Sequence, residues 1–280
     1  MDTSLVPHLL LARKLADCFA SLSQVAAIGL GGSQTGGVPD AASDIDLYVF
    51  TRGEAIPLTV RQAILEQTGG ASRADLGLDY WGPGDEWYDR ATGIEVDLVY
   101  FDADWMQQQI NRVLMDHQPS LGYTTCFWQT CRQIQIFHDP HGWLGALQAF
   151  ARQDYPEALR RNIINLNQPV LRQIIPSYHH QIAKAVQRGD WVSINHRLAA
   201  LLASYFDIIF AVNRVPHPGE KRLIAHATAT CRRLPVDMAA DIEVVLAAAA
   251  HPDPDFLAHL DRLLDRLDDL VIAETSTNNG

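Results

Sequence analysis

Asp44 and Asp46 stand one residue apart at the start of a short apolar run that ends at Phe50. Side chains in a strand alternate with a period of two, so both carboxylates face one side while Ile45 and Leu47 face the other. Two like charges on one face are costly unless a cation neutralises them. A hard divalent ion such as Mg²⁺ takes such oxygen ligands and completes its shell with substrate phosphates. Separated from Asp44 by a ten-residue spacer, Gly31-Gly32-Ser33 closes another apolar run, 25–30. Gly32 permits close backbone approach, and Ser33 can bond phosphate oxygens. A third acid, Asp97, lies in the alternating run 93–101, with Glu95 on its face. If that run pairs beside 45–50, Asp97 completes a three-carboxylate site. Two Mg²⁺ ions held there would align a hydroxyl and a nucleotide α-phosphate for in-line displacement.

The elements that must position these residues can be read from periodicity. Residues 5–22 have helical spacing, 25–30 form a buried strand, and 34–43 are rich in Gly, Ser, Pro and Asp, as in a loop. A strand over 45–50 and a helix over 57–67 follow. The stretch 69–92 is glycine-rich and aromatic, with Tyr80, Trp81, Trp87 and Tyr88, and has room for a further strand; 93–101 is strand. From residue 103 onward the periodicity is helical, with segments at 103–117, 124–137, 142–153, 156–168, 169–188, 191–213, 219–233, 235–250 and 255–273. The expected class is α+β. Residues 1–110 form a catalytic domain with a mixed sheet and helices, and residues 111–280 form an α-helical bundle.

Composition bounds the function. The 280 residues carry a net charge of −11, which opposes binding an extended nucleic-acid backbone. The charge is uneven: residues 1–102 hold 15 acids against 6 bases, whereas 103–280 hold 18 against 16. Four cysteines show no zinc spacing. No uncharged apolar run reaches membrane-spanning length, and the first residues lack a secretory signal pattern, so a cytoplasmic location is expected.

Gly32-Ser33, the ten-residue spacer, Asp44-Ile45-Asp46 and a later strand with Asp97 together resemble the DNA polymerase β-type nucleotidyltransferase superfamily over residues 20–102. Gly122-Tyr123-Thr124-Thr125, Trp191 to Arg197, Phe210 to Arg214 and His217-Pro218-Gly219-Glu220-Lys221-Arg222 are similar to bacterial nucleotidyltransferases with a helical domain of unknown function 4037. These in turn resemble aminoglycoside and lincosamide nucleotidyltransferases. The resemblance implies ATP or another NTP as donor, Mg²⁺, and transfer of a nucleoside monophosphate to an acceptor that it does not fix, with a small molecule expected.

The resemblance also implies roles. Asp44, Asp46 and Asp97 are the expected metal ligands and catalytic acids. Gly32, Ser33 and Ser43 are expected at the nucleotide, with Ser43 equally suited to a turn or cap. Lys221 is one of only 3 lysines beside 19 arginines and is the expected phosphate contact from the helical part. Asp97, Glu95 and Glu86 are alternative general bases for the acceptor hydroxyl. The aromatic residues 80–88 can stack on a base or pack over the sheet. Modification of a protein or RNA end, a silent nucleotide-binding module and an antitoxin-like role remain as other readings.

Overall fold

The computed structural model describes residues 6–32, 44–80, 82–252 and 255–276. Helix α1 (Val6–Phe19) leads into β1 (Val25–Leu30). Strand β2 (Ile45–Thr51) and helix α2 (Leu58–Gln67) follow. The glycine-rich aromatic stretch forms not one strand but two, β3 (Ala71–Leu78) and β4 (Gly84–Asp89), paired as an antiparallel hairpin. Strand β5 (Glu95–Asp102) runs parallel to β2. Helices α3 (Ala103–Leu114) and α4 (Cys126–Gln133) precede β6 (Gln135–His138), which pairs antiparallel with β1. The sheet order is β3-β4-β5-β2-β1-β6.

Strand β6 corrects the helix expected over 124–137. Ile134, Ile136 and Phe137 are β-branched or aromatic and favour an extended chain. The edge of β1 supplies the pairing partner, so the helix stops at Gln133.

The chain forms two compact units. The first comprises Met1–Asn111 and Thr130–Gln153, so it includes β6 and α5 (Trp143–Ala151). A hydrophobic core lies on one face of the sheet. Leu11, Leu15 and Phe19 of α1 and Ile64 and Leu65 of α2 pack on Ile45, Leu47 and Val49 of β2 and Val96, Leu98 and Tyr100 of β5. Trp87 of β4 belongs to this core, which settles its place among the aromatic residues of the hairpin. Some acids of the first hundred residues are also structural. Buried Asp85 accepts hydrogen bonds from Tyr100 Oη at 2.6 Å, Gly77 N–H at 2.7 Å and Arg61 Nη1 at 2.7 Å. Asp89 accepts from the Thr92 amide at 2.8 Å and hydroxyl at 2.7 Å, closing the turn into β5.

The second unit comprises Arg112–Gln129 and Asp154–Gly280. It contains α6 (Glu157–Gln168), α7 (Tyr178–Arg188), α8 (Trp191–Asn213), α9 (Leu223–Thr230), α10 (Met238–Ala249) and α11 (Phe256–Ser276). The continuous helix expected over 169–188 is interrupted. A single π-helical turn spans Pro169–Gln173, Ile174 is extended, and α7 restarts after Ser177, whose side chain accepts from the His180 amide. Pro176 has no N–H to give and disfavours a helical residue before it, which accounts for the break. Helix α11 buries Phe256, Leu260, Leu263, Leu267 and Val271. On α11, Arg262 and Arg266 reach Asp241 of α10 at 3.1 and 2.6 Å. Among the described residues no helix is long and apolar enough to cross a membrane.

Candidate active site

The same alternation that buries one face of the sheet presents acids on the other. Ile45, Leu47 and Val49 point into the core, so Asp46 and Tyr48 lie on the opposite face of β2. On β5, Val96, Leu98 and Tyr100 point inward, leaving Asp97 on the face of Asp46. The parallel register sets Asp46 directly opposite Asp97. The row continues outward: Glu86 of β4 opposes Asp97, and Asp75 of β3 opposes Glu86. Adjacent strands are about 4.8 Å apart. Four carboxylates thus line up across four strands, exposed at Asp75 and Glu86 and half-buried at Asp97 and Asp46. At the outer end Arg73 pairs with Asp75 at 3.2 Å.

The glycine turn is built against this pair. The Gly31 amide donates to the Asp46 carbonyl at 2.9 Å, extending the β1–β2 pairing by one residue. Gly32 has a left-handed φ of 62°, which favours glycine. A Cβ on Gly32 would overlap the Asp46 carboxylate, and a Cβ on Gly31 would overlap the Tyr48 ring. The Gly32 amide donates to the Tyr48 hydroxyl. Burial, then the charges of Asp46 and Asp97 and more weakly that of Asp44, push this phenol well above its ordinary value, against the Gly32 hydrogen bond. All three predicted acids therefore act on one hydroxyl.

Asp44 is half-buried and directly precedes β2. Glu95 opens β5 opposite Tyr88 and is exposed, one pleat before Asp97. Glu86, from the glycine-rich aromatic stretch, is on a strand beside Asp97. Ser33, Ser43 and Trp81 lie outside the described residues. Tyr80 is exposed. Lys221 belongs to the second unit, in the turn that precedes α9. Sequence reasoning missed the aromatic series that continues the acidic face: Tyr48 meets Phe101 edge-on at 5.6 Å, and Phe101 stacks on Trp105 at 5.8 Å. The available signal was parity, since Tyr48 and Phe101 alternate in phase with Asp46 and Asp97.

Among the described residues no three His, Cys, Asp or Glu side chains are gathered as a metal-binding group. The directly opposed Asp46 and Asp97 still fit a hard divalent cation by donor chemistry. Mg²⁺ is commonly held by one or two carboxylates, with substrate phosphates and water supplying the other oxygens.

In the second unit, Gly122 to Thr125, Phe210, His217 and Gly219, among the residues that carried the resemblance, meet in a largely buried cluster. Thr124 donates to Asp207 through its amide at 3.1 Å and its hydroxyl at 2.6 Å. Asn167 Oδ1 accepts from the Gly122 amide at 3.0 Å. The His217 amide donates to Thr125 Oγ1 at 2.7 Å, and His217 Nδ1 accepts from the Gly219 amide at 3.1 Å. The His217 ring is edge-on to Tyr123 and Phe210. Burial, opposed by the Thr124 hydrogen bonds, pushes Asp207 up to about 7. Burial, aided by His226, pushes His217 down to about 4. These contacts tie residues 120–125 to α8 and to the turn after it, which is a structural duty.

The mixed sheet thus carries opposed aspartates on its central parallel pair, beside a glycine turn. Residues 12–119 match the nucleotidyltransferase domain family, and residues 127–223 match the domain of unknown function DUF4037. The chain thus carries an N-terminal nucleotidyltransferase domain followed by a DUF4037 domain, as the motif resemblance implies. Among solved structures, a nucleotidyltransferase-like protein from Exiguobacterium sibiricum 255-15 is similar at 11% identity and a TM-score of 0.45, over 95% of this chain and 74% of that one. None of the curated proteins matches the sequence.

Proposed function

We propose that the protein transfers a nucleoside monophosphate, in the simplest case AMP from ATP, to a hydroxyl of a small-molecule acceptor. The acceptor oxygen bonds to the α-phosphorus, the bond from that phosphorus to the bridging oxygen of the β-phosphate breaks, and pyrophosphate leaves. The observation that carries this reading is the direct opposition of Asp46 and Asp97 with Gly32 packed on the Asp46 carboxylate.

Asp44, Asp46 and Asp97 would hold Mg²⁺, in a one- or two-ion site. When bound, the ion would supply charge neutralisation of the triphosphate and a lowered pKa for the acceptor hydroxyl. Gly32 lets the turn lie against the Asp46 carboxylate, and Gly32, Ser33 and Ser43 are assigned to the nucleotide by resemblance. Lys221 is assigned to the phosphates on the same ground. Asp97, Glu86 and Glu95 share the face on which the hydroxyl proton must be accepted, and Glu86 is the one directly across from Asp97. Most of the rate acceleration would come from positioning and charge stabilisation.

The test is a screen of metabolites and antibiotics with Mg²⁺ and ATP labelled in the α-phosphate. Label transferred to an acceptor by the wild type and lost in Asp46→Asn supports the reading. Tight Mg·ATP binding without transfer to any acceptor would favour a nucleotide-binding module instead.

A further inference from the structure

Tyr48 has no part in the chemistry above, yet it sits among the groups that perform it. It lies two residues beyond Asp46 on the same face, half-buried, with its ring against Gly31, where any Cβ would overlap it. Its hydroxyl accepts the Gly32 amide hydrogen. Its ring meets Phe101 edge-on, and Phe101 in turn stacks with Phe50 and with Trp105. Packing alone does not require a hydroxyl at this position. An apolar side chain would avoid burying a phenol beside three carboxylates, at a desolvation cost that only a hydrogen bond offsets.

The bond that offsets it ends on a turn that needs restraint. Two consecutive glycines have more backbone freedom to lose than any other pair of residues. Gly32 nevertheless has to lie against the Asp46 carboxylate for the phosphate seat and the metal ligand to share one geometry.

We propose that Tyr48 is a positioning residue for the nucleotide. By accepting the Gly32 amide and backing Gly31 with its ring, it fixes the glycine turn onto Asp46 before the triphosphate arrives. The inference rests on the nucleotidyl-transfer reading and refines it in one respect. The Gly32 amide is already engaged, so Gly32 contributes by letting the turn lie against the Asp46 carboxylate and not as a hydrogen-bond donor to the phosphates.

The experiment is calorimetric titration of the full chain with Mg²⁺ and α,β-methylene-ATP, which cannot release pyrophosphate, for wild type, Tyr48→Phe and Asp46→Asn. Tyr48→Phe keeps the ring and removes only the hydroxyl. We expect it to melt within a few degrees of wild type and to bind the analogue about tenfold more weakly. A lowered melting temperature with unchanged affinity would reduce Tyr48 to a packing residue and overturn the inference. If wild type binds and Asp46→Asn does not, while Tyr48→Phe matches wild type, only the Tyr48 inference falls. If wild type itself does not bind the analogue, the nucleotidyl-transfer reading falls and takes the inference with it. Should Tyr48→Phe fail to fold, amide exchange at Gly32 in wild type decides by NMR. Slow exchange before nucleotide, unchanged by it, agrees with the inference; protection that appears only with nucleotide contradicts it.

Discussion

Asp46 and Asp97 are register partners in the parallel β2–β5 pair, on the face of the sheet turned away from its core. Like charges directly opposite one another on a sheet are destabilising by roughly 0.2–1 kcal/mol. Without divalent cation, Asp97→Asn should therefore melt at or slightly above the wild-type temperature. Adding Mg²⁺ with α,β-methylene-ATP should raise the melting temperature of wild type and leave the variant unmoved. Thermal unfolding with and without EDTA checks both halves.

Gly32 combines a left-handed φ with contact against a carboxylate. Gly32→Ala should cost about 1–2 kcal/mol from the backbone alone. Displacement of Asp46 should add loss of nucleotide binding. Urea unfolding and calorimetry on the same preparation measure the two effects. Gly53 also has a positive φ but nothing within 4 Å of a Cβ, so Gly53→Ala should show the backbone cost without the binding loss.

Glu86 stands across from Asp97, whereas Glu95 lies one pleat before it at the start of β5. Glu86→Gln should therefore lower kcat more than Glu95→Gln, by a factor on the order of 10²–10⁴ if Glu86 takes the acceptor proton. The KM for the nucleotide should stay within about twofold, because the triphosphate does not depend on that proton. Equal effects of the two variants would assign the proton to Asp97.

Asp207 and His217 give opposite pH dependences in the second unit. The folded state holds the Asp207 proton up to about 7, so this residue's contribution to stability falls as pH rises from about 4 to 7. Folded His217 resists protonation down to about 4, so its contribution rises between about 4 and 6.5. The wild-type curve contains both. Wild type minus Asp207→Asn should decline with pH over that range, and wild type minus His217→Gln should climb. Urea unfolding at half-unit pH steps separates them, and parallel curves would contradict the assignment.

Much of the acidic face was legible because it depends only on local alternation. Strand β1 and helix α8 fall where periodicity places them, at Val25–Leu30 and Trp191–Asn213, since each is a strongly patterned apolar run. What was not legible depends on long-range pairing. Gln135–His138 joins the sheet only because β1, far earlier in the chain, offers an edge. Glu86 reaches Asp97 only through the β4–β5 register, and no local feature of 69–92 fixes that register. Tyr48 reads as an ordinary strand aromatic until the turn at Gly31 and Gly32 is folded onto it.

The central claim is that the opposed aspartates serve nucleotidyl transfer, and transfer of α-phosphate label from ATP in the presence of Mg²⁺ tests it most directly. With a true acceptor, wild type should move the label and release one pyrophosphate per label transferred. Asp46→Asn, folded and melting no lower than wild type, should transfer none. Label transfer by Asp46→Asn at the wild-type rate would contradict the account.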